Sequence, residues 1–172
     1  MPRINALTHE QAPEGSRPWL DGVKQAFGVV LNVFKVLAHS PAVITGYVQF
    51  YQAMETSSLT ALEREAIALA TAEVNGCGYC LSVHEMLGSK YGLSAEAIRS
   101  ARDGELNAYT VLAKRITETR GHVLDEDLAV ARAAGITDAK IVEVIAQVTL
   151  LTFTNLLNNV AQTDVELPRA KV

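Results

Sequence analysis

Residues 62–84 read Leu62-Glu-Arg-Glu65-Ala-Ile-Ala-Leu-Ala-Thr-Ala72-Glu-Val-Asn-Gly-Cys77-Gly-Tyr-Cys80-Leu-Ser-Val-His84, and this run decides the fold. Its first half is a helix opened by Thr60 and running from Leu62 to about Val74, whose middle, Ala66 to Ala72, is apolar or small on every side. A helix with no polar face is buried all round, so this one is expected at the centre of a helical domain. Asn75-Gly76 breaks it. A second helix then carries both cysteines on to about Lys90, with Gly92 suited to a left-handed C-cap.

Working outward from this pair, further helices are expected on both sides. Upstream, Val23, Phe27, Val30, Phe34 and Leu37 recur at three or four from Trp19 onward, the mark of one amphipathic helix. His39-Ser-Pro41 ends it, because the residue before proline avoids the α region, and another helix follows from Ala42 to about Met54. Downstream, Ser94 caps a short helix through Ala101. Helices then follow at about 106–119, 125–134 and 137–160, with Gly121 and Gly135 as stops and Asp125 and Thr137 as N-caps. The first 17 residues, with two of the five prolines and no apolar period, read as an extended arm. No stretch shows sustained two-residue alternation. The expectation is all-α: an arm over 1–17 and one compact domain of about eight helices over 18–172.

Composition agrees. A chain of 172 residues, 49% hydrophobic and 20% charged, is long enough for one domain with a real core. A net charge of −4 without a basic block argues against a nucleic-acid surface. Met1-Pro-Arg-Ile-Asn leads into polar residues rather than an apolar leader segment. The apolar stretch from Ile141 to Phe153 is interrupted by Glu143 and Gln147 and is short for a bilayer. A cytoplasmic protein without membrane contact is therefore expected. Only two cysteines are present, and in a reducing compartment such a pair is more often catalytic or metal-binding than structural.

Cys77, Cys80 and His84 are three and four residues apart, which on a helix sets all three along one stripe. Placing the pair at a helix N-terminus exposes it to unpaired N–H groups and the macrodipole, which favour thiolate, the reactive form. His84 can take a proton or pair with that thiolate, and two neighbouring thiols let a sulfenic acid close to a disulfide before over-oxidation. Glu65 is the candidate carboxylate for proton transfer, since it lies between Leu62 and Leu69 on the apolar helix. Spacing alone does not choose it over Glu63 or Glu73. Cys77, Cys80 and His84 could also supply three zinc ligands, but no second CxxC or histidine-rich cluster completes a tetrahedral site. Tyr79 and Tyr91 read as packing residues. His9, His39 and His122 fall in the arm or near helix ends, where capping or solvation is expected.

The run from Glu63 to His84 closely resembles the alkylhydroperoxidase D-like proteins of the carboxymuconolactone decarboxylase superfamily. The match is strong from about Leu62 to Ile98. It continues more weakly through Ala134-Gly-Ile, Phe153-Thr-Asn155 and Val165-Glu-Leu-Pro168. The resemblance implies an all-helical homo-oligomer, a trimer or hexamer. It also implies a peroxidatic Cys80, a resolving Cys77, and a proton relay through Glu65 and His84. The macrodipole would equally suit Cys77 as nucleophile, and the four-residue spacing to His84 tips the choice to Cys80. Tyr79 stands where the best-known members carry histidine, and a phenol with a pKa near 10 is a poor proton shuttle at neutral pH. The cysteine pair argues against the decarboxylase reaction, whose enzymes lack it.

The expected function is thus a thiol peroxidase that reduces hydrogen peroxide or organic hydroperoxides, is recharged by a dithiol protein or small thiol, and needs no haem, flavin or metal. The alternatives are a redox sensor or disulfide-exchange protein with incidental peroxide turnover, and a zinc-binding structural protein.

Overall fold

The computed structural model describes residues 1–167; Pro168, the end of the tail that the resemblance reaches, lies outside the described residues. The described residues form nine α-helices and one short 3₁₀ turn, without strands. In chain order the helices are α1 (Arg17–Phe27), α2 (Asn32–Leu37), α3 (Pro41–Glu55), α4 (Ala61–Val74), α5 (Gly78–Tyr91), α6 (Ala95–Arg102), α7 (Ala108–Thr119), α8 (Asp125–Ala133) and α9 (Asp138–Ala161).

α4 is the axis of the molecule. Thr60 and Glu63 form a capping box at its start: the Thr60 N–H donates to Glu63 Oε2 at 2.7 Å and the Glu63 N–H donates to Thr60 Oγ1 at 3.2 Å. Every residue from Ala66 to Ala72 is buried. Ala66, Leu69 and Ala72 join one core with α1, α2, α3 and α5. Ile67, Ala68 and Ala70 join a second core with α7, α8 and α9. A helix between two cores has no side left for water, which explains its missing polar face. Its alanines let α5, α6, α7 and α9 all pack against it.

The amphipathic run after Trp19 is two helices instead of one, which raises the count to nine. Gly28 takes φ +77, a left-handed C-cap that ends α1 with its N–H donated to the Lys24 carbonyl. The chain re-enters helix at Asn32. Periodicity carried across this break because both helices pack their apolar faces on the same core. Asp125 is the first residue of α8 rather than its cap; Leu124 holds the cap position, and its N–H donates to Asp127 Oδ2 at 2.9 Å. Thr137, Ser94 and Gly92 cap as expected, the last at φ +106.

The first residues cross the helices as a strap. The Arg3 N–H donates to the Ala161 carbonyl at 2.7 Å and the Leu7 N–H to the Lys35 carbonyl at 3.3 Å, while Ala12 is buried. His39 Nε2 lies 2.9 Å from the Asn5 carbonyl, and His9 pairs with Asp21 at 3.1 Å. The last helix, expected over about 137–160, runs over Asp138–Ala161. At 24 residues α9 is long and apolar enough to cross a membrane by length and composition, but half of its most apolar 18-residue stretch is buried in this fold. Its polar interruptions have local uses: the Glu143 carboxylate accepts from the N–H and Oγ of Ser58, at 2.9 and 2.6 Å.

Candidate redox site

The α4–α5 turn builds the site. The Gly76 N–H donates to the Glu73 carbonyl and the Cys77 N–H to the Ala72 carbonyl, at 3.0 and 2.9 Å, which closes α4 as a Schellman motif with Gly76 at φ +61. Cys77 is therefore the N-cap of α5 and not a member of its stripe; its sulfur accepts from the Cys80 N–H at 3.3 Å. Only Cys80 and His84 share a helical face. One residue thus ends a helix with its backbone and starts the next with its side chain, and this brings the sulfurs together. They lie 2.6 Å apart as free thiols, with Cys77 donating to Cys80.

The two thiols are pushed in opposite directions. Cys80 is pulled down to about 7, first by the hydrogen bond from Cys77, against the effect of burial, and then by the charge of His84 and the amides of Asn158 and Asn155. Asn158 Nδ2 donates to the Cys80 sulfur at 3.4 Å. Cys77 moves up, because it gives its proton to Cys80 and is buried. The pair loses its first proton from Cys80.

Glu65, on α4, lies 2.7 Å through Oε2 from His84 Nδ1. Burial disfavours the imidazolium, yet the charge and hydrogen bond of Glu65, aided by Cys80, outweigh it and raise His84 above the usual histidine range. The other two carboxylates are engaged elsewhere. Glu63 serves the capping box, and Glu73 joins Glu85 on Arg102 at 2.6 and 2.9 Å, a clamp that ties α4 to α5 and α6. Geometry therefore selects Glu65 where spacing did not. A small cavity of about 40 Å³ also meets Glu65 and His84; Gln147 lines it and its buried Oε1 has no hydrogen-bond partner among the described residues. That is room enough for a water molecule beside the relay.

Cys80 and His84 face an apolar cavity of about 360 Å³ whose walls include Phe27, Phe34, Tyr47, Tyr79 and Met86. Cys77 does not line it and is fully buried. Tyr79 turns its hydroxyl away from the thiols: it accepts from the Val33 N–H at 3.2 Å and donates to Glu166 Oε1 at 3.0 Å. It packs, as expected, and also ties α5 to α2 and to the tail. The site residues missed in sequence are Asn155 and Asn158. Both amides are buried on α9, which also carries Gln147, Thr149, Thr152, Thr154 and Asn159, so nothing local in the sequence marks them. Among the described residues no group of three or more His, Cys, Asp or Glu side chains is arranged to hold a metal ion.

The described residues thus form an all-helical core carrying a buried dithiol at a helix start, with an ion-paired histidine one turn on. Residues 41–110 match the model of the carboxymuconolactone decarboxylase family. Similar solved structures share the fold. One is an uncharacterized peroxidase-related protein with an alkylhydroperoxidase core from Ralstonia eutropha JMP134, 23% identical over 96% of this chain and 92% of that one, TM-score 0.84. A peroxidase-related protein from Silicibacter sp. TM1040 is 20% identical over 94% and 91%, TM-score 0.77. A cysteine-to-alanine variant of the debrominase Bmp8 in complex with 2,3,4-tribromopyrrole is 16% identical over 95% and 91%, TM-score 0.79. No curated protein matches the chain in sequence.

Proposed function

We propose that the protein is a two-cysteine thiol peroxidase of the cytoplasm, working as a homo-oligomer. The observation that carries this reading is the polarised pair: a Cys80 thiol with its pKa lowered to about 7 facing a cavity, backed by a proton-bearing His84 and a proton-donating Cys77. In the first step the Cys80 thiolate attacks one peroxide oxygen, the O–O bond breaks, and His84, held by Glu65, gives its proton to the departing alkoxide or hydroxide. Cys80 is left as a sulfenic acid. The Cys77 sulfur then attacks it, water leaves, and a Cys77–Cys80 disulfide forms. Two electrons from an external dithiol or from two small thiols restore the pair.

Two similar folds are peroxidase-related and one is a debrominase, so the fold does not choose the reaction, and it is the polarised thiol pair that supports the peroxidase reading. The apolar cavity supports an organic hydroperoxide as well as hydrogen peroxide. The test is peroxide consumption by the wild type beside Cys80→Ser, with dithiothreitol as reductant. Many turnovers for the wild type and none for Cys80→Ser are expected. A single oxidation without turnover would instead make the chain a redox sensor or disulfide-exchange protein.

A further inference from the structure

One face of α5 forms a wall of the apolar cavity. Cys80, Val83, Leu87 and Lys90 follow one another at three, four and three, the spacing of neighbours on a helix surface, and all four line it. Lys90 stands ten positions after Cys80, about 15 Å along the helix axis. Phe27, Val29 and Met86 line the same cavity and are exposed, so it opens to solvent through an apolar rim. No Asp or Glu lines it. Besides His84 at the thiol, Lys90 is the only basic side chain in the wall; it is exposed, and among the described residues no carboxylate pairs with it. A neutral apolar molecule that filled the cavity as far as Lys90 would strip water from the ammonium and return no partner. A molecule with an apolar body and an anionic end returns one.

We infer that the apolar cavity takes a long-chain hydroperoxide bearing a carboxylate at its far end, with the O–O group at Cys80 and the carboxylate at Lys90. The reaction rests on the peroxidase reading above; the binding mode rests on the cavity. The span between the two side chains sets the length of the molecule. About 15 Å corresponds to roughly ten carbon–carbon bonds of about 1.5 Å, each set at an angle to the chain direction. A volume of about 360 Å³ lies within the range of small-molecule sites. Lys90 touches none of the reacting atoms, so it binds the substrate equally before and during the reaction and acts on KM more than on kcat. Its place in the last turn of α5 also suits the helix dipole. That role is the same whichever substrate is bound, and it creates no preference for an anion.

Linoleic acid hydroperoxide and its methyl ester share one chain and one O–O group and differ in charge. Both are assayed with dithiothreitol as reductant, below micelle formation and at mildly alkaline pH, where the carboxylate is ionised. The wild type should show a KM for the acid at least about threefold below that for the ester, the scale of one ion pair at an exposed position. The gap should narrow in high salt. Lys90→Glu should reverse the order and Lys90→Arg should keep it, whereas a merely structural lysine would change both substrates alike. A second measurement needs no peroxide. Linoleic acid should protect Cys80 from monobromobimane at lower concentration than methyl linoleate does, and Lys90→Glu should abolish that difference. Equal KM for acid and ester in the wild type, or a preference for the acid that survives Lys90→Glu, would overturn the inference. Protein that turns over neither hydroperoxide, yet is protected better by linoleic acid through Lys90, would instead remove the peroxidase reading and leave the binding site standing.

Discussion

Cys80 and His84 share a face of α5, and Glu65 supplies the charge that raises His84. Cys80 is pulled down to about 7, so it ionises more readily than an ordinary thiol. Its alkylation by monobromobimane in Cys77-intact protein should therefore rise with pH through a midpoint near 7 and level off above 8. Glu65→Gln removes the charge that keeps His84 protonated; His84 then loses its proton at lower pH, Cys80 loses a cationic neighbour, and the midpoint should move up. The same variant should cut peroxide turnover by about 10²-fold or more, the scale of general acid–base assistance. Glu63→Gln keeps its capping role and should do much less; equal losses at both would take the carboxylate out of the mechanism. For the roles of the thiols, Cys77→Ser should leave a sulfenic acid that dimedone traps on Cys80, and label on Cys77 alone in the reciprocal variant would reverse the assignment. Cys77, Cys80 and His84 were legible as candidates because their spacing is short and local, whereas Glu65, 19 positions from His84, was singled out by the resemblance and not by spacing. Asn158 was not legible, since it reaches Cys80 across 78 positions of sequence, a juxtaposition no helical period encodes.

At the scale of elements, the α4–α5 junction is where sequence and geometry agree most closely. Asn75-Gly76 announced the break, and the left-handed Gly76 supplies it. Any side chain there must adopt φ +61, at a cost of roughly 1–2 kcal/mol. A Cβ at Gly76 would meet nothing within 4 Å, so Gly76→Ala should fold, lose about that much stability in urea melts, and change the thiolate midpoint of Cys80 by disturbing the Cys77 cap. Thr60→Ala, at the far end of α4, removes one arm of its capping box and should cost about 1 kcal/mol while leaving that midpoint in place. A midpoint that moves equally in both would mean that α4 stability, and not the junction, sets the thiol chemistry. The break between α1 and α2 was missed for an instructive reason. Both helices lay apolar residues on one core, so the three-to-four period survives a turn at Gly28 that changes direction without changing which side faces inward. That turn matters to the site, since it brings Phe27, Leu31 and Phe34 together as walls of the apolar cavity.

At the scale of the whole molecule, the two apolar helices that pointed to self-association part company. The middle of α4, Ala66 to Ala72, hides within one chain, between two cores, and gives no reason for a partner. α9 does not hide. Ile141, Val148, Leu150 and Leu151 are buried, but Val142, Ile145, Phe153, Leu156 and Val160 are exposed. With Thr149 between them, their spacings run three, four, four, three and four, a continuous seam along the outer face of the helix. Val43 and Phe50 of α3 are exposed as well and line a shallow cavity with Phe153. Soluble monomers rarely leave a contiguous apolar patch of this kind open, and a second copy of the same helix offers a matching one, which closed symmetry can satisfy. Light scattering should therefore give a multiple of the 18.5 kDa chain, and a mass at least three times it for the trimer or hexamer that the resemblance implies. Leu156→Glu, at an exposed position, should leave the monomer fold and the Cys80 midpoint intact while splitting the assembly, because a charge costs little on a free surface and several kcal/mol when buried unpaired. Wild-type protein at about 18.5 kDa in micromolar solution would show that the α9 seam stays open to solvent, and an assembly that survives Leu156→Glu would place the interface elsewhere.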